Sequence, residues 1–272
     1  MRRAGGENFP VAMRILPRSL RRHLLAIYGF ARLVDQLGDD VEGDRGAALD
    51  ALEQDLDRIY AGEEPRHEAI RPLPATIREF EIPREPFDRL IAANRQDQEV
   101  AVYARWEDLL AYCELSANPV GRLVLHVLRA ATPERVALSD AICTGLQLAE
   151  HWQDVREDLV DRGRVYIPEA DLQHFGVGEA DLRAPAAAPN LQALMQELVD
   201  RARRLLDEGR PLVATLSGWG RIAVAGYVGG GYATLAAIER AGCDVLRETP
   251  RASKLAKLRA AGAVMRQAKE DG

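Results

Sequence analysis

Apolar residues return every three or four positions through almost the whole chain, whereas alternating apolar and polar runs bounded by turn residues are scarce. A chain patterned this way buries helical stripes against one another, and the class it specifies is all-α. Prolines and glycines set the segment ends. Pro17, Arg18 and Ser19 open a helix to about Leu37, with Gly38 loosening its end, and a second helix runs from Arg45 to Tyr60. Shorter helices are predicted over Ala75 to Phe80 and Glu85 to Gln98. Trp106 to Ala131 reads as a long helix broken at Asn118-Pro119, because proline lacks the amide donor and crowds the preceding turn. Pro133 opens a helix expected to continue to about Gly163. After a loop with short helical turns between Tyr166 and Pro189, helices follow over about Leu191 to Glu208, Pro211 to Ala241 with interruptions, and Pro250 to Lys269. No linker divides the chain and no repeat organises it, so residues 1–272 read as one domain.

Two acidic pairs of equal spacing stand within these helices: Asp35 and Asp39, then Asp154 and Asp158. On a helix an i,i+4 step puts both carboxylates on one face, about 6 Å apart along the axis, where they repel by roughly 0.2–0.5 kcal/mol. One such pair is ordinary on a solvated face. These two follow apolar stretches, Leu24 to Val34 and Ile142 to Trp152, and carboxylates in such surroundings need a partner. Hard oxygen donors select Mg²⁺, which takes one or two carboxylates and completes its shell with substrate phosphates. Two such faces turned toward each other make a cradle for a diphosphate.

Composition narrows the remaining classes. A net charge of −6 argues against a nucleic-acid surface, though local arginines and a metal still hold an anionic substrate. Cys113, Cys143 and Cys243 are far apart and read as buried thiols in a reducing compartment. The start Met1-Arg-Arg-Ala-Gly-Gly-Glu lacks the apolar core of a signal peptide, and no run of about 18 apolar residues is present. The expectation is a soluble, cytoplasmic protein. Peripheral contact with lipid has two candidate surfaces, the apolar stretch Tyr227 to Ala237 and the basic C-terminal helix. No Gly-x-Gly-x-x-Gly follows a strand, so no nicotinamide site is expected.

The segment Tyr28-Gly-Phe-Ala-Arg-Leu-Val-Asp-Gln-Leu-Gly-Asp39 resembles the Tyr-x-Phe-x-Arg-x-x-Asp-x-x-x-Asp element of the squalene and phytoene synthase family. Gln147-Leu-Ala-Glu-His-Trp-Gln-Asp-Val-Arg-Glu-Asp158, with Gly163-Arg-Val-Tyr-Ile-Pro168 after it, resembles that family's second element in order, spacing and separation. Glu7-Asn-Phe-Pro-Val-Ala12, Ser116-Ala-Asn-Pro-Val-Gly-Arg-Leu-Val-Leu125 and Trp152-Gln-Asp154 are similar to its branch of bacterial hydroxysqualene synthases of hopanoid pathways. The resemblance implies the isoprenoid-synthase helical fold, Mg²⁺ dependence and presqualene diphosphate as substrate. In the implied reaction diphosphate leaves, the cyclopropylcarbinyl cation rearranges, and water captures it as hydroxysqualene.

On this reading Asp35, Asp39, Asp154 and Asp158 hold Mg²⁺ directly or through water. Arg32, one turn before Asp35, either pairs with that carboxylate or reaches the phosphate. Arg164 and Tyr166 resemble the family's diphosphate-contacting tail. Tyr112, Asn118 and Gln147 lie at positions similar to cavity-lining residues of the family, with a satisfied buried hydrogen bond as the plainer alternative for each. Tyr28, Phe9, Leu24, Leu115, Val124, Leu125 and Leu146 are candidates to line an apolar cavity for the substrate tails, or are ordinary core. His151 and His126 read as structural.

Three positions depart from the family pattern. Gln36 replaces a second aspartate common in relatives, Glu150 stands where many have Asn, and Gln153 stands where phytoene and squalene synthases usually have Arg. Glu150 is a third carboxylate, serving as a further ligand or holding a water. Loss of an arginine at 153 removes a bidentate phosphate clamp, which suits a substrate with one diphosphate rather than a condensation that holds two. The alternatives are a condensing enzyme joining two farnesyl diphosphates, and a non-catalytic relative. The implied partners are a prenyl diphosphate and a neighbouring enzyme of the same pathway that receives the product.

Overall fold

The computed structural model describes residues 17–39, 41 and 43–270, and among these the only extended pairing is a single parallel bridge between Val102 and Val165. The segment Glu7 to Ala12, with the cavity candidate Phe9, lies outside the described residues. The first helices are α1 (Arg18–Asp39), α2 (Arg45–Tyr60), α3 (Leu73–Phe80), α4 (Glu85–Glu99), α5 (Trp106–Ser116) and α6 (Asn118–Val127). The Asn118-Pro119 break falls between α5 and α6, as proline at a first turn requires. Then come α7 (Pro133–Gln153), the short α8 (Glu169–His174), α9 (Pro189–Gly209), α10 (Gly218–Arg240) and α11 (Lys254–Glu270).

Caps and stripes explain the main elements. The Asp44 side chain accepts the Ala47 amide at 2.9 Å to start α2, and Thr132 accepts the Arg135 amide at 3.3 Å to start α7 with Pro133 at its first turn. In α9 the residues Leu191, Leu194, Met195, Leu198, Val199, Ala202 and Leu206 form one buried stripe. Each of its large aliphatics contributes about 2 kcal/mol on burial.

Two apolar cores result. One gathers α1 to α4 with Leu123, Val124 and Val127 of α6 and Ala223 and Tyr227 of α10. The other joins α5, α7, α9, α10 and α11. Leu128 and Leu146 pack against both, so α6 and α7 form the seam between them. Of the cavity candidates, Leu24, Val124 and Leu125 are closed into the cores, whereas Tyr28, Leu115 and Leu146 are half-buried.

Helix α10 corrects one expectation. By length and composition it is apolar enough to cross a membrane, but most of it is buried among α7, α9 and α11. The Tyr227 to Ala237 stretch is therefore interior, with Tyr227, Val228, Ala233, Leu235 and Ala237 all buried, and it offers no surface to lipid. A Cβ on Gly229 would run into the backbone of Ala260 and Ala261, so glycine there lets α10 and α11 meet backbone to backbone.

Candidate active site

The first acidic segment lies on regular helix at the end of α1, where Asp35 is exposed and Asp39 half-buried. The exposure of Asp35 departs from the buried setting that the apolar residues before it suggest. Its neighbours in sequence point inward, while its own position and that of Gln36 fall on the outer side.

The second segment corrects the expectation of a continuous helix to Gly163. Helix α7 ends at Gln153; Asp154 has φ −104° and ψ 17°, a single turn covers Val155–Glu157, and a π-helical turn covers Asp158–Arg162. Asp154 and Asp158 keep their i,i+4 relation, the Asp158 amide donating to the Asp154 carbonyl at 2.9 Å, but on a short turn beyond the end of α7. The wider turn is closed by Gly163 at φ 65°, a left-handed conformation that costs other residues roughly 1–2 kcal/mol. Beyond it the chain doubles back, with the Arg164 amide bonded to the Asp158 carbonyl at 3.1 Å and the Val165 amide to the Ala101 carbonyl at 2.9 Å. π-Turns recur at functional sites, where they re-aim side chains.

These turns bring the two segments together. Arg162 Nη1 lies 2.6 Å from Asp158 Oδ1 and its Nε 3.5 Å from Asp39 Oδ2, so one guanidinium spans a carboxylate from each pair. Arg164 Nη1 is 3.1 Å from Asp39 Oδ1 and 3.6 Å from Asp97 Oδ2, and its Nη2 donates to the Asp97 carbonyl at 3.0 Å. Tyr112 donates its hydroxyl to Asp97 Oδ2 at 2.8 Å, while Asp97 Oδ1 is buried without a hydrogen-bond partner among the described residues. Burial pushes the Asp97 carboxyl up to about 6, against the opposing pull of Arg164 and Tyr112.

Tyr166 stacks on His151 with ring centroids 3.6 Å apart, and Tyr103 and Tyr112 close the aromatic wall. Gln147 Nε2 is 3.1 Å from His151 Nε2. An amide nitrogen only donates, so that ring nitrogen is the acceptor and Nδ1 carries the proton, facing Asp158 Oδ2 at 4.0 Å. Burial drives the His151 pKa down to about 3, which keeps the imidazole neutral beside the carboxylate. His151, Asp158, Arg164 and Tyr166 line a cavity of about 10 Å³ together with Val155 and Leu159, room for about one water.

Of the residues singled out in the sequence, Asp39, Asp158, Arg164, Tyr166, Tyr112 and Gln147 join this network. Asp154 sits half-buried at the end of α7. Asn118 accepts from Thr144 Oγ1 at 2.9 Å inside the seam, which is the satisfied buried bond. Arg32 makes no ion pair with another described residue, and of its two alternatives the pairing with Asp35 is not the one adopted. Glu150 is exposed one turn before Asp154, with its charge felt by Lys257 of α11. Sequence reasoning missed Arg162, Asp97 and Tyr103, and took His151 as structural. Arg162 carried a signal, four residues after Asp158 and two before Arg164; Asp97, inside a polar run of α4, carried none.

The donor set suits a hard divalent cation. Asp39 and Asp158 supply oxygens that already face one positive group, and a carboxylate as buried as Asp158 requires a cation beside it. Among the described residues no three histidine, cysteine or carboxylate groups converge on one point.

Known proteins share this arrangement of helices. The hydroxysqualene synthase of Rhodopseudomonas palustris is 35% identical over 210 residues, covering 77% of this chain and 71% of that one. The presqualene diphosphate synthase of the same organism is 32% identical over 200 residues, covering 72% and 71%. The crystal structure of the squalene synthase HpnC from Alicyclobacillus acidocaldarius superposes with a TM-score of 0.82 at 47% identity, covering 89% of this chain and 91% of that one. With the squalene/phytoene synthase family model matching residues 2–258, the chain belongs to that family.

Proposed function

We propose that this enzyme converts presqualene diphosphate to hydroxysqualene with Mg²⁺, by loss of diphosphate, rearrangement of the cation and capture by water. The observation that carries the reading is the meeting of Asp39 and Asp158, one from each acidic segment, at a single guanidinium. Bound Mg²⁺ supplies Lewis-acid stabilisation of the departing diphosphate. Asp39 and Asp158, with Asp35 and Asp154 directly or through water, are the residues to hold it. Arg164, kept in place by Asp97 and Asp39, presents its guanidinium to the leaving phosphate, and Arg32 offers a second cation from α1. The stacked Tyr166 and His151 exclude bulk water from that side and present neutral rings to a passing cation.

Similarity to a presqualene diphosphate synthase supports the condensing alternative, whereas Gln153 in place of arginine supports the reading preferred here. Purified protein with Mg²⁺ is to be offered farnesyl diphosphate and presqualene diphosphate separately and the products identified by mass. Hydroxysqualene from the second alone is expected, and product from farnesyl diphosphate alone overturns the assignment.

The apolar product also suggests where the enzyme works: in the cytoplasm, at the inner membrane face, handing over to the next enzyme of its pathway. Helix α11 supports this, since Leu255 and Leu258 are 56% and 71% exposed. Around them stand Arg251, Lys254, Lys257, Arg259, Arg266 and Lys269, with no acidic residue from 251 to 269. Flotation with anionic vesicles is expected for the wild type and not for Leu258→Glu; equal flotation of both counts against the surface.

A further inference from the structure

Arg162 stands where the diphosphate site has most need of positive charge. Its Nη1 contacts Asp158 at 2.6 Å, its Nε contacts Asp39 at the looser 3.5 Å, and its side chain remains 22% exposed. Asp158 is 7% exposed, so its charge is stable in the fold only with a cation held against it. Arginine supplies that charge at every accessible pH, and its planar fork binds phosphate as well as carboxylate.

We propose that Arg162 is an exchangeable internal counter-ion: it holds Asp39 and Asp158 together in the metal-free protein and transfers its hydrogen bonds to the diphosphate when metal and diphosphate arrive together. This rests on the metal-site reading above. Arg162 is the last residue of the π-turn, immediately before Gly163, and its partly exposed side chain is the part that the exchange requires to move. Charge explains the coupling. A divalent ion alone would meet a guanidinium already sitting between its ligands, and like charges at short range oppose its entry. A diphosphate brings the negative charge that Arg162 accepts in exchange for the carboxylates. Metal and diphosphate therefore bind synergistically, and the metal by itself binds weakly. Arg162 is on this view a positioning residue for the carboxylates as well as a phosphate contact.

The test uses Mn²⁺ as a paramagnetic probe, with inorganic pyrophosphate and no prenyl substrate. Wild-type protein is expected to bind Mn²⁺ weakly alone and at least about tenfold more tightly with pyrophosphate, while Arg162→Gln binds Mn²⁺ alone about tenfold more tightly than wild type and loses most of the synergy. Arg162→Lys, which keeps the charge, should retain the wild-type pattern. Thermal unfolding gives a second readout: Arg162→Gln should melt lower than wild type without metal, and Mn²⁺ alone should restore more of its stability than it adds to wild type. A purely structural arginine would show the loss without that selective recovery. A folded Arg162→Gln whose affinity for Mn²⁺ alone is unchanged or weaker overturns the counter-ion role and leaves the metal site standing. Absence of Mn²⁺ binding by wild type even with pyrophosphate overturns both.

Discussion

The two acidic segments share one spacing and little else. The first rides on the last turns of α1, a regular helix anchored by Leu24, Ile27, Phe30, Leu33 and Val34 in the first core. The second begins where α7 stops, and its shape is set by a π-turn, a left-handed glycine and backbone bonds to residues 101–104. The first pair is positioned by an intact helix, whereas the second keeps its i,i+4 backbone bond on a short separate turn that tertiary contacts aim. The second segment accordingly buries its carboxylate more deeply, Asp158 being enclosed while Asp35 is exposed.

The comparison is broken most severely at the carboxylates themselves. Asp39→Asn and Asp158→Asn should each lower Mg²⁺-dependent turnover about 10²–10³-fold, whereas Asp35→Asn should cost less, as steady-state rates across a Mg²⁺ titration would show. Equal losses at all three positions would mean that exposure in the free protein does not rank the ligands.

Backbone changes come next. Gly163→Ala should destabilise the protein by about 1 kcal/mol in urea unfolding and lower turnover about tenfold, because the turn that aims Arg164 depends on a left-handed residue. Asp44→Ala, which removes the cap of α2 just beyond the first segment, should cost a similar 1 kcal/mol with turnover unchanged. If both variants alter turnover alike, the distinction between locally and tertiary-positioned segments fails.

In the wild type the net effect of pH is the smallest, because two groups oppose each other. Below pH 6.5 the unfolded chain protonates His151 while the folded protein, with that pKa near 3, does not; its contribution is full above pH 6.5 and lost as pH falls toward 3. Asp97 acts oppositely, since at about 6 its folded-state pKa lies above the ordinary 3.8 and stability is gained as pH falls between those values. The two slopes cancel between about pH 4 and 6. Asp97→Asn should expose the histidine slope, up to about 1.4 kcal/mol lost per pH unit on acidification, and His151→Gln should reverse it. Urea unfolding of both variants from pH 4 to 7 measures the difference.

Much of this was legible in the sequence, and for identifiable reasons. The α5–α6 break and the start of α7 follow from Pro119 and Pro133, whose effects act within a turn of themselves. The end of α7 at Gln153 was not legible. Periodicity continues through Leu159, and the segment beyond the break is held by contacts such as Arg156 Nη1 with the Leu246 carbonyl at 2.8 Å, ninety residues away. Asp39 and Asp158 were singled out by their spacing and Arg164 and Tyr166 by resemblance to the family's second element, and the structure brings the four into one network. Asp97 was not, because its role comes only from packing against Arg164 and Tyr112.

The parallel bridge at Val102 and Val165, with the Glu169 amide bonded to the Tyr103 carbonyl at 2.9 Å, splices the connector before α5 onto the tail of the second acidic segment. In that connector Tyr103 joins the aromatic wall and Arg105 pairs with Asp108, while its main chain holds the run of residues that follows Arg164. An insertion there would detune the electrostatic alignment from a distance, so this unremarkable strip of main chain serves the enzyme as a spacer gauge.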